Sequence, residues 1–118
     1  MQPDVSIILP IYNESPLILI PVLNSIIKQD YYNFELIIID DSNDIKTIEL
    51  IRDFSASDAR IKIYHRKGAF GLASALNYGI EKSIGSYLVR ADSDDLLTSS
   101  RLSIQKRFLD ENLNVDMR

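Results

Sequence analysis

The sequence predicts an α/β fold, a mainly parallel sheet with helices on both faces, and three observations carry that prediction. Short apolar runs alternate with stretches whose apolar residues recur every three or four positions, in the order βαβαβαβα. Most of the runs are β-branched and nearly unbroken, as strands buried on both faces must be. Loop or acidic clusters follow the first, second and fourth runs, which in a parallel sheet gathers them on the carboxyl edge, where open α/β sheets bind ligands.

Val5-Ser6-Ile7-Ile8-Leu9 is the first strand, expected to stop at Pro10. The loop from Pro10 to Ser15 leads into a helix with Leu17, Ile20, Leu23 and Ile27 at helical spacing. Pro16 suits the helix start, whereas Pro21 predicts an irregular first turn. Phe34 to Ile39 forms the second strand and ends on Asp40-Asp41. Ile45, Ile48, Ile51 and Phe54 mark the next helix, with Asp44 as its N-cap. Ile61 to Tyr64 is a shorter strand, placed at a sheet edge because Lys62 interrupts it. A basic loop with two glycines, His65 to Gly71, precedes a helix carrying Leu72, Ala75 or Leu76, and Ile80. Gly85-Ser86 turns the chain into the fourth strand, Tyr87 to Ala91. Ser99 or Ser100 caps a last helix, Arg101 to about Asn112, with Leu102, Ile104, Phe108 and Leu109 facing inward. Val115-Asp116-Met117 reads as the opening of a fifth strand.

Composition narrows the function. The 118 residues, 46% hydrophobic and 25% charged, suffice for one globular domain over 1–118 and not for two. A net charge of −4 argues against nucleic acid as a partner. The absence of cysteine excludes disulfides and thiolate metal sites and fits a cytoplasmic, reducing compartment. Pro16 to Ile27, the most apolar stretch, is shorter than the roughly 20 residues a membrane span needs. Membrane association is therefore expected only through parts outside this chain.

Arg90-Ala91-Asp92-Ser93-Asp94-Asp95 is the most chemically pointed stretch, because an apolar strand gives way within two residues to three carboxylates. Acids this close repel one another and raise each other's pKa unless a cation or donors sit among them. Oxygen-only ligands suit Mg²⁺ or Mn²⁺, which takes one or two carboxylates from a protein and its remaining ligands from water and phosphates. An Asp-rich turn that caps the next helix accounts for the hexapeptide equally well. The lone histidine, His65, is assigned a packing or capping role.

Four motifs in the same order resemble family 2 glycosyltransferases with the GT-A fold, specifically their Rossmann-like, nucleotide-sugar-binding N-terminal half. They are Val5 to Glu14, Ile37 to Ser42, Gly71 to Gly79, and Asp92-Ser93-Asp94-Asp95, which together span nearly the whole chain. The resemblance implies that Pro10, Tyr12 and Glu14 hold the nucleoside, with the Tyr12 ring against the base and Glu14 accepting from ribose hydroxyls. It implies that Asp41 accepts a base N–H, plausibly of uracil, while Asp40 supports the turn. Gly71 and Asn77 would lie near ribose and diphosphate, Asp92 near ribose or metal, and Asp94 would ligate the divalent ion.

The resemblance further implies metal-assisted, inverting transfer of a sugar from a nucleotide-diphosphate donor, UDP-sugar favoured, to a saccharide or lipid-linked saccharide acceptor. The general base would lie in the second half of such domains, beyond this chain. Two departures stand out: Leu76 occupies the position of a frequent Arg before Asn77, and Ala69 that of a frequent Asn. Arg66, Lys67 or Arg90 are the candidates to replace the missing charge. The chain is thus expected to be a C-terminally truncated donor-binding part, prone to self-associate through its open C-terminal edge. A binding module without turnover is the alternative. A receiver-like phosphoacceptor domain fits poorly, because Asp40-Asp41 closes the second strand and His65-Arg66-Lys67 closes the third.

Overall fold

The computed structural model describes residues 2–68 and 70–111. Its elements follow the expected order: β1 (Val5–Ile11), α1 (Pro16–Ile27), β2 (Phe34–Asp40), α2 (Ile45–Ala56), β3 (Ile61–His65), α3 (Leu72–Lys82), β4 (Tyr87–Arg90) and α4 (Arg101–Glu111). Ala69, Asn112 and the expected fifth strand at Val115 to Met117 lie outside the described residues.

The four strands form one all-parallel sheet in the order β3-β2-β1-β4. The chain winds outward from β1 to β2 and β3, then crosses back to the other flank of β1. That reversal creates a topological switch point between β1 and β4, the place where such sheets open a crevice. The residues of β1 and β2 pair one for one from Val5↔Phe34 to Ile11↔Asp40, so the two strands leave the sheet at the same level. β3 is an edge strand, as Lys62 predicts.

Alternation divides the strand residues between two faces. Val5, Ile7, Leu9, Ile11, Leu36, Ile38 and Val89 meet α1, α2 and α4 through Leu19, Val22, Leu23, Ile26, Ile51 and Leu102. Ile37 and Ile39 meet α3 through Ala75 and Tyr78 on the opposite face. A Cβ at Gly79 would sit 2.5 Å from Ile8 Cγ2, so glycine is what lets α3 lie this close to β1.

Several local expectations need correction. β1 continues through Pro10 to Ile11. The Ile8 carbonyl accepts from Ala91 N and the Ile11 carbonyl from Asp41 N, so alternation turns Pro10 toward the β4 flank, past the last β1–β4 pair, Ile8↔Arg90. Its missing N–H therefore breaks no ladder bond. α1 is regular enough to carry Pro21 internally, and its inward stripe is Leu19, Val22, Leu23 and Ile26, with Leu17 87% and Ile20 41% exposed. Nearly every residue of α1 is apolar, so spacing alone did not single out the buried face. Ile45 is exposed, and on α4 Ile104 and Phe108 are exposed while Leu102 and Leu109 are buried.

A buried polar cluster stitches the amino end of the sheet. Glu35 accepts from Ser6 Oγ at 2.5 Å, Ile84 N at 2.8 Å and Lys62 Nζ at 2.7 Å, and Ser6 Oγ in turn accepts from Gly85 N at 2.8 Å. Burial pushes the Glu35 carboxyl up, but donors from Ile84, Lys62 and Ser6 together outweigh it and hold the carboxyl below its ordinary value. Such a group stabilises the fold above the unfolded pKa, and the contribution is lost as pH falls through the folded one. Glu35→Ala leaves these donors without their acceptor and is expected to cost about 3 kcal/mol at neutral pH, read from urea unfolding. The deficit should shrink as the pH falls below about 4, and a pH-independent difference would show that the carboxylate's charge is not what stabilises.

Candidate functional site

The carboxyl edge opens into a cleft of about 290 Å³ at the switch point. Pro10, Ile11 and Tyr12 enter from the end of β1, Asp41 from the end of β2, Gly71, Leu72 and Ala75 from the start of α3, and Ser93 from the loop after β4. Parallel strands at matched levels deliver these residues together. Gly71 is the N-cap of α3 with φ 88°, a conformation that a side chain would strain, and it leaves the helix N-terminus facing the cleft without a Cβ.

Each predicted residue has a definite place. Pro10, Tyr12, Asp41 and Gly71 line the cleft, and the Tyr12 ring is 55% exposed. Glu14 stands behind the lining: its carboxylate accepts from Ser93 Oγ at 3.0 Å and its carbonyl from Thr47 Oγ1 at 3.0 Å, tying the β1–α1 loop to the loop after β4 and to the first turn of α2. Asn77 is exposed on α3 and does not line the cleft. Asp94 is exposed and makes no hydrogen bond or ion pair with any described residue, whereas Asp92 meets Arg90 Nη2 at 3.1 Å. Arg90 thus supplies a cation beside the first of the three acids. Both partners are about half exposed, so the pair is worth little.

The two acids ending β2 do different work. Asp40 is buried and accepts from Ser42 N at 3.0 Å, with His65 Nδ1 3.3 Å away, so it shapes the turn. Asp41 is held by a two-pronged ion pair: Arg66 Nε donates to Oδ1 at 2.7 Å and Nη2 to Oδ2 at 2.6 Å. Arg66 also donates to Ser74 Oγ at 3.1 Å, and its guanidinium lies over the rings of Phe70 and Tyr78. The Asp41 side-chain hydrogen bond, offset in part by burial, raises the Arg66 pKa. Arg66 was one of three candidate cations in the sequence, and nothing in spacing tied it to an acid 25 residues away. Ser93, between two acids that drew more notice, is the polar lining residue the motif reading passed over, alongside the apolar Ile11, Leu72 and Ala75.

The fold and the cleft define a parallel α/β domain of Rossmann-like type with an open cleft at its switch point. The model of Glycosyl transferase family 2 matches residues 6–117, and the chain belongs to that family. It is 42% identical over 108 residues to an uncharacterized glycosyltransferase of Rickettsia bellii, covering 92% of this chain and 15% of that protein. It is 38% identical over 111 residues to an uncharacterized glycosyltransferase of Haemophilus influenzae, covering 94% of this chain and 44% of that one. The structure also superposes on S. aureus TarS 1-349 in complex with UDP-GlcNAc, with TM-score 0.81 and 28% identity over 94% of this chain and 32% of that one. The mannosyltransferase PcManGT from Pyrobaculum calidifontis, in complex with GDP-Man and Mn²⁺, gives TM-score 0.81 and 27% identity over 92% of this chain and 33% of that one. The chain spans less than half the length of the relatives it matches. Among the described residues no helix is long and apolar enough to cross a membrane.

Removing Arg66 tests how far the site depends on its own ion pair. Arg66→Met strands a buried carboxylate and is expected to cost roughly 3 kcal/mol in urea unfolding, with Asp41→Asn in the same chain recovering part of the loss. A change below about 0.5 kcal/mol would mean that the pair behaves as a solvated surface contact.

Proposed function

We propose that this chain is the donor-binding part of a family 2 glycosyltransferase and takes a nucleotide-diphosphate sugar, UDP-sugar favoured, into the switch-point cleft. The observation that carries the reading is the convergence of Tyr12, Asp41, Gly71 and Ser93 from four segments on one cleft, within a chain of this family. The TarS and PcManGT complexes with UDP-GlcNAc and GDP-Man support it by similarity of fold.

In this reading Tyr12 offers a ring face to the base, and Asp41, held in place by its two bonds from Arg66, accepts a base N–H. Glu14, whose carboxylate accepts from Ser93, is assigned the ribose hydroxyls. The Gly71 helix end favours the diphosphate through its N–H groups and dipole. Leu76 brings no charge there, and Arg66 and Arg90 are both paired with acids, so less positive charge is free for the phosphates.

A divalent ion fits that deficit. Among the described residues there is no cluster of three or more acidic, His or Cys side chains to cage a metal. One unengaged carboxylate, Asp94, with Asp92 beside it, is what a Mg²⁺ or Mn²⁺ shared with substrate phosphates requires. When bound, the ion would neutralise the leaving diphosphate. Transfer breaks the bond between the sugar's anomeric carbon and the phosphate oxygen and forms one to an acceptor hydroxyl of a saccharide or lipid-linked saccharide. With inversion, the acceptor proton passes to a carboxylate outside this chain. Alone, the chain is expected to bind donor without transferring it.

UDP should raise the melting temperature in Mn²⁺ and scarcely at all in EDTA; ligand at 100 times Kd adds about 2.7 kcal/mol. Asp94→Asn should abolish the metal dependence, and Tyr12→Ala should weaken UDP binding while the metal dependence persists. Equal shifts in Mn²⁺ and EDTA would reduce the acidic loop to a turn.

A further inference from the structure

Asn13 is the only described non-glycine residue with a positive φ, 52°, a conformation that asparagine tolerates better than most side chains. Held there, it fastens the β1–α1 loop to the β2–α2 loop. Its N–H donates to Ser42 Oγ at 2.9 Å and its Nδ2 to Asn43 Oδ1 at 2.7 Å. Its Oδ1 accepts from both Asn43 N at 2.9 Å and Asp44 N at 3.0 Å. Asp44 is the N-cap of α2, and its carboxylate makes no cap bond to the helix backbone. Asn13 thus gives the N-cap N–H, from another loop, the acceptor that a Glu in the first turn supplies in a capping box.

Asn13 does not line the cleft. Tyr12 immediately before it and Asp41 immediately before Ser42 both do. Resting on the donor-site reading above, we infer that Asn13 is a positioning residue that sets the gap between the Tyr12 ring and the Asp41 carboxylate, so that a nucleobase meets a preformed slot. Ser42 is the buried counterpart of the tether, its N–H fixed by Asp40 and its hydroxyl taken by Asn13. A slot ordered by the fold binds more tightly than one the ligand must order itself.

Asn13→Gly keeps the backbone conformation accessible and removes the three side-chain bonds, while Ser42→Ala removes the fourth. UDP affinity is measured by calorimetry in Mn²⁺, well below the thermal midpoint, on chains whose circular dichroism matches the wild type. Asn13→Gly is expected to weaken UDP about tenfold, and the double variant to be little worse than Asn13→Gly alone, because both act through one tether. Affinity within about twofold of wild type overturns the inference. If Asn13→Gly fails to fold, Asn43→Ala, which removes only the exposed amide–amide bond, carries the test: weaker UDP binding supports the tether and unchanged binding overturns it. A wild-type chain that binds no nucleotide overturns the donor-site reading and this inference with it, whereas intact binding in the variants overturns the inference alone.

Discussion

The register of β1 against β2 is the constraint on which the site depends. Seven consecutive parallel pairs, five of them apolar on both strands and every residue but Pro10 buried, leave the two strands no freedom to slide. A slip by one residue would exchange the faces and send Glu35 and Ser6 into the apolar layer under α1 and α2. Because Ile11 and Asp40 are the last partners, Tyr12 and Asp41 start their loops side by side. The buried Glu35 cluster pins the same register from the opposite end of the sheet.

Polar contacts on the carboxyl edge form a second level of order built on that register. Asn13, Glu14, Ser42 and Asp40 connect loop to loop, while Arg66 reaches in from the β3–α3 loop to hold Asp41. The loops carrying the cleft are therefore braced by one another as well as by the strands beneath them. The loop after β4 is tied through Ser93 to Glu14 and through Leu97 N and the Thr98 carbonyl to Ser25 and Gln29, while Asp94 is exposed.

Much of this was legible in the sequence, and what was not has a common cause. The strands, their order along the chain and the shared edge of Tyr12, Asp41 and Asp94 follow from local patterns, because a β-branched run bounded by acids has few other solutions. The buried face of α1 was not legible because PLILIPVLNSII is apolar on every side and packing alone chooses among the stripes. Ile104 and Phe108 failed similarly, because apolar identity says nothing of which neighbour is present. The Arg66–Asp41 pair and the Asn13 tether depend on side-chain directions that spacing does not encode, whereas the Arg90–Asp92 contact is one that i, i+2 spacing at a strand end allows. Family resemblance pointed to Pro10, Tyr12, Asp41 and Gly71, which line the cleft, but not to the side chains that hold them.

Pro10 carries a consequence for assembly. β4 pairs with β1 only as far as Ile8, which leaves the last part of a central strand open on one flank, directly above the cleft. Open strand flanks recruit other strands, and main-chain hydrogen bonding alone is enough to hold an invading peptide there. Pro10 presents no N–H to that flank, so an intruding strand finds a gap in the ladder where its carbonyl needs a donor. A peptide strand added along that flank would therefore lack one ladder bond at Pro10.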